Sequence, residues 1–94
     1  MAKRVNVEQS TLEKLIYPID WTDALLAGVT VSDVSITHTP PSGDDATFGK
    51  QINNPVTYIK SPSGLVAGKH IVSVVAITSN ADLQPEVRLQ IKVE

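Results

Sequence analysis

At the C-terminal end, Val87, Leu89, Ile91 and Val93 alternate with Arg88, Gln90, Lys92 and Glu94. A period of two puts the four aliphatic side chains on one face of an extended strand and the polar ones on the other. A helix would scatter the same four around its circumference. A strand with one apolar face must be covered by a second layer, so this stretch commits the chain to a packed sheet.

The segment from His70 to Thr78 is apolar on both parities, with Ile71, Val75 and Ile77 on one and Val72, Val74 and Ala76 on the other. β-Branched residues dominate it and Gly68 and Asn80 bracket it, which predicts a central strand covered on both faces. The turn formers from Ser79 to Pro85 predict that it pairs with the C-terminal strand as a hairpin. Upstream, Val29 and Val31 share one parity and Val34 and Ile36 the other. A parity change inside one extended stretch predicts a bulge or a break near Ser32-Asp33. Pro40-Pro41-Ser42-Gly43-Asp44-Asp45 ends that strand, because proline removes a donor and fixes φ. Short strands are expected around Thr47-Phe48 and from Val56 to Lys60, separated by Asn53-Asn54-Pro55. Pro18 biases Tyr17 to extended backbone, so Leu15 to Ile19 also reads as strand. A turn or two of helix fits only Trp21 to Ala27, with Asp20 or Thr22 as cap and Gly28 as stop.

Ninety-four residues suffice for one domain. Aromatic residues make up only 4%, so the core must come from Val, Ile, Leu and Ala, which favours sheet. Strand signals spaced roughly every ten residues, with Gly/Pro turns between, describe a β-sandwich. The expected fold is an all-β, immunoglobulin-like antiparallel β-sandwich over 15–94 with an extended N-terminal arm over 1–14. The arm is inferred from the lack of periodicity in residues 1–10. Within it Val5 and Val7 are candidate partner-binding residues, able to add to a neighbour's sheet edge.

Chemistry-bearing patterns are sparse. The net charge is −2, with no basic stripe to neutralise phosphates and no basic cluster for a membrane surface, so neither nucleic acid nor membrane is expected as a partner. No apolar run approaches a membrane span, and Val5 to Ser10 is no signal-peptide core. Cysteine is absent, which removes disulfides and thiolate chemistry. His38 and His70 lack further ligands at zinc spacing, and structural or solvated roles are expected for both. Asp44-Asp45 lacks the regular ligand spacing of a calcium loop and reads as a solvated acidic turn. Ser10, Ser61 and Ser63 lie in no nucleophile elbow, and Gly64 and Gly68 are not followed by a phosphate-loop Lys. No catalytic, cofactor-binding or metal residue is assigned, and no enzyme activity is expected. Trp21 is expected to plug the space between two sheets with its indole N–H on backbone; exposed, it would be a third candidate partner-binding residue.

Tyr17-Pro18-Ile19-Asp20-Trp21, followed by a short Leu-rich turn, Gly28 and a Ser/Thr/Val-rich strand, resembles the opening of small tailed-bacteriophage virion proteins of immunoglobulin-like type. Those carry an "I-D-W" segment before such a strand. Gly64-Leu65-Val66-Ala67-Gly68-Lys69-His70-Ile71-Val72 is similar to the segment that leads into their Tyr-bearing strand, followed there by a turn and a terminal charged/apolar alternation like Val87 to Glu94. The likeness covers most of the chain after residue 15, except residues 40–60. It departs where His70 stands in place of the Tyr, which in immunoglobulin-type sandwiches bonds back to the backbone and locks a corner. The resemblance implies a virion structural protein, made in the bacterial host cytoplasm and acting as head decoration (cement) or as an adaptor between tail and fibre. Its implied partners are the major capsid protein or tail/adaptor proteins, and symmetry copies of itself. The alternative weighed is an immunoglobulin-like adhesion or carbohydrate-binding module of a bacterial surface protein. Whether the location is head or tail, and at what copy number, is not written in the residues.

Overall fold

The computed structural model describes residues 3–41 and 46–94. Seven strands run in chain order: β1 (Lys3–Gln9), β2 (Ile16–Asp20), β3 (Val31–Thr39), β4 (Gly49–Asn53), β5 (Val56–Lys60), β6 (Gly68–Thr78) and β7 (Glu86–Val93). They form two sheets, ordered β1-β7-β6-β3 and β2-β5-β4. With the strands lettered A to G, this is the immunoglobulin-like sandwich with C, F and G in one sheet and B, E and D in the other. The first strand has left its usual place beside B and joined G instead, in parallel. The expected sandwich is the observed one.

The facing surfaces carry the aliphatic alternation read from the chain. His70, Val72, Val74 and Ala76 on β6 and Val87, Leu89, Ile91 and Val93 on β7 point inward and are buried. They meet Tyr17 and Ile19 of β2 and Thr57 and Ile59 of β5 across the core. The β6–β7 pairing is the expected antiparallel one, and Thr78 Oγ1 donates to turn carbonyls at its end, with Leu83 O at 2.7 Å. The expected bulge appears as a register shift between Val31 and Asp33 against β6. It lets both Val31 and Val34 face the core. The Asn54 side chain supports this break: its Oδ1 accepts from Val31 N at 2.7 Å and its Nδ2 donates to Val31 O at 2.8 Å.

Four expectations need correction. The residues 3–9 are extended but not an arm. They form β1, parallel to β7, with Val5 and Val7 half-buried against the core. Their short alternation is enough once β7 offers an edge, although it is too short to announce itself in the sequence. Second, β6 is central in its sheet but covered on one face only. Ile71, Ser73 and Val75 are half-buried on the outer face, and Ile77 is exposed. Third, Thr47-Phe48 precedes a strand rather than forming one, and β4 begins at Gly49. Fourth, the helical piece is a single 3-10 turn, Thr22–Ala24, where Asp20 Oδ1 accepts the Thr22 N–H at 2.9 Å. The acidic turn Asp44-Asp45 lies outside the described residues.

Candidate functional site

Of the polar groups that sequence reasoning flagged, His38 and His70 meet at one corner, where the chain enters β6. Gly68 opens that strand at φ +131°, and a Cβ there would meet the Pro41 ring at 2.9 Å. Glycine is required on both counts, by conformation and by the close approach. Two residues on, His70 is fully buried. Its Nε2 lies 2.7 Å from Val66 O and its Nδ1 lies 2.8 Å from His38 Nε2. His38 is presented from β3, its ring nearly parallel to that of His70, at 12° between planes, with the centroids 5.1 Å apart. Phe48 packs edge-on against His38, with centroids 4.9 Å apart.

Hydrogen-bond logic orders the protons in this pair. A carbonyl oxygen only accepts, so His70 Nε2 must donate to Val66 O. In a neutral ring His70 Nδ1 is then the acceptor, and His38 Nε2–H donates to it. That leaves His38 Nδ1 to accept from Ala46 N, at 3.4 Å. The chain of bonds ties three separate stretches together: the β3 end, the segment before β4 and the turn before β6. His70 thus makes the backbone bond that a Tyr makes in the corner of related folds, four residues upstream, and adds a side-chain partner on β3.

This arrangement locks a corner rather than poising a base. Both His70 nitrogens are engaged inside the core, with no face left for a substrate. The 2.8 Å separation is that of a hydrogen bond, whereas a metal ion held at about 2.1 Å from each nitrogen needs them further apart. Among the described residues no group of three or more His, Cys, Asp or Glu side chains is placed to hold a metal ion.

The three candidate partner-binding residues lie partly or wholly inside the sandwich, with Trp21 buried and Val5 and Val7 half-buried. Trp21 is 1% exposed and plugs the space between the sheets. Its indole donates to the Thr57 hydroxyl at 3.0 Å, a side chain rather than the expected backbone. Val5 and Val7 turn inward from β1, because they share a parity with buried Gln9. Gln9 in turn accepts from the Tyr17 hydroxyl. Burial, and then the Glu13 charge, push the Tyr17 phenol above its ordinary pKa, which keeps it a donor at neutral pH.

What the molecule does present was missed by sequence reasoning. On the outer face of β6, Ile71, Val75 and Ile77 make an aliphatic stripe. Across the ladder stand Thr39 beside Ile71, Thr37 beside Ser73 and Ser35 beside Val75, all three exposed. The result is a largely aliphatic and hydroxyl-bearing sheet face, bordered on the β7 side by Glu86, Arg88 and Gln90, with Glu86 in register beside Val75 and bonded by the Ser73 hydroxyl. The signal was present in the sequence as the second apolar parity of this strand, and it was read as a second buried face. Leu12, Ile16 and Leu26 are also exposed. Comparison with protein-family models and with curated proteins finds no match to this chain.

Proposed function

We propose that this chain is a bacteriophage virion structural protein, binding the capsid or tail lattice through protein–protein contacts as head decoration or as a tail–fibre adaptor. The reading makes it a contact module and not an enzyme. The observation that carries the contact role is the outer aliphatic stripe of β6, framed by the Ser and Thr hydroxyls of β3. Half-exposed Val and Ile side chains on a flat strand face gain free energy when a second surface covers them, at about 25 cal/mol per Å² of apolar area. Hydroxyls beside them can bond to that surface without the desolvation cost of charges. The polar groups inside the sandwich are already bonded to one another, so the reading places recognition on the outside. The virion setting rests on the likeness of the segments around Trp21 and Gly68 to phage proteins.

Quantitative mass spectrometry of purified particles tests this. Decoration predicts on the order of hundreds of copies and an adaptor about a dozen, following shell and ring symmetry. Absence of the protein from particles of the phage that encodes it would overturn the reading.

One observation favours the adhesion or carbohydrate module as a second reading. Tyr58 is half-exposed on the outer face of β5, paired in register with Pro18 on one side and Gln51 on the other. A ring flanked by proline and an amide suits stacking on a sugar. Saturable binding to a glycan array, lost in Tyr58→Ala, would decide for it.

A further inference from the structure

We propose that the free edge of β1 is a self-complementary docking strand, which pairs antiparallel with β1 of a second copy about a two-fold axis through Asn6. The argument begins with which edges are open. In the smaller sheet, β2 carries Pro18 in its middle, so that edge strand lacks a donor at its centre. On the other side of the sandwich, Lys50 of β4 donates to Val34 O of β3 at 3.0 Å and pairs with Asp33 at 2.8 Å. This stitches the β3 and β4 edges to each other. β1 has neither device.

The backbone phase of β1 is set by its partner. Gln9 O accepts from Glu94 N at 3.0 Å and so points toward the β7 side. Successive residues of a strand direct their N–H and C=O groups to opposite edges. Val5 and Val7 therefore bond toward β7, while Arg4, Asn6 and Glu8 direct theirs to the open edge. An antiparallel pairing centred on Asn6 sets Asn6 against Asn6, Arg4 against Glu8 and Val5 against Val7 of the second copy. The even-numbered pairs are then the ones that exchange both backbone hydrogen bonds, as the phase requires. Side chains match on both faces, with Val–Val contacts toward the core and Arg–Glu pairs on the outer face. A register centred on Val5 or Val7 would set Arg4 or Glu8 against Asn6 and lose the charge match.

The charges also want this partner. Arg4 stands beside Arg88 in the β1–β7 register, and Arg88 lies 3.6 Å from Glu86. Among the described residues no acid forms an ion pair with Arg4. The second copy brings Glu8 to that place, relieving a like-charge contact while forming an opposite-charge one. Such a contact is isologous and closes at two copies, joining the two four-stranded sheets into one continuous sheet. Edge-to-edge pairing of short strands is a small interface, so the dimer is reversible and concentration-dependent.

Sedimentation equilibrium over a concentration series tests the proposal on the full chain. Wild type is expected to shift from monomer to dimer mass as concentration rises. Arg4→Glu and Glu8→Arg should each stay monomeric, because like charges then meet across the axis. Mixed one to one, the two variants should dimerise again, since both cross-pairs become opposite. Asn6→Pro should also stay monomeric while folding normally, because the lost N–H faces the open edge. A wild type that is monomeric throughout overturns the proposal, as does a dimer that survives both charge variants. The claim stands on β1 alone: absence from particles would sink the virion reading and leave this one standing, and a monomeric wild type would do the reverse.

Discussion

His70 shows how much one residue position decides in a chain with few aromatics. It holds Val66 O and His38 in a place where an apolar side chain would fill space and satisfy neither. His70→Phe should therefore lower stability by about 2–4 kcal/mol, the cost of leaving two buried groups without partners. Urea unfolding followed by Trp21 fluorescence measures it, and an unchanged midpoint would mean that the corner bond is idle. Two surface carboxylates make a smaller contribution that depends on pH. The Ser73 hydroxyl bonds Glu86 and holds its carboxyl below the ordinary 4.5, with burial opposing and Arg88 assisting. A hydrogen bond from Lys50, and then one from the Val34 N–H, hold Asp33 below 3.8. A carboxylate with a depressed folded-state pKa stabilises fully above its unfolded pKa, and that contribution disappears as pH falls through the folded value. Ser73→Ala should therefore lower the Tm slightly at pH 7, and the gap from wild type should close as pH falls through the depressed carboxyl pKa. A gap that widened in acid would contradict the assignment. Both groups remain partly open to solvent, so the shift is expected to be small.

At the scale of elements, the strands that alternate cleanly were legible and those that depend on a partner were not. β7 shows its period directly, β6 its β-branched run, and the bulge of β3 its change of parity. β1 could not be read alone, because a short strand with two valines is stable only on an edge that the sequence cannot display. The covering of β6 was misread for a related reason. Apolar residues on both parities look the same whether the second face meets a layer of the same chain or waits for another molecule. The start of β6 depends on Gly68, whose backbone conformation and contact with Pro41 both exclude a side chain. Gly68→Ala should destabilise by about 1–3 kcal/mol, read as a lower urea midpoint with an unchanged slope. A neutral result would show that the segment around Pro41 can retreat at no cost.

For the whole molecule, the sequence pointed to a domain with its polar residues in structural roles, and the structure places His38, His70, Trp21 and Tyr17 in mutual or core hydrogen bonds. Val5 and Val7 stand out in the sequence as residues able to add to a neighbour's sheet edge and Trp21 as the one large aromatic; in the structure Trp21 lies in the core and Val5 and Val7 are half-buried on β1. What remains outside is the stripe of Ile71, Val75 and Ile77, whose aliphatic character has no purpose in covering this chain's own interior. In the proposed role this face docks on a particle. Particles lacking the protein, incubated with a titration of purified Val75→Lys or wild type, test it directly. Because Val75 faces outward, beside Glu86, the variant should match wild type in circular dichroism and lose at least about tenfold in affinity, the effect of about 1.4 kcal/mol from placing an ammonium in an apolar contact. Equal binding by the two proteins, at equal saturation, would contradict the claim.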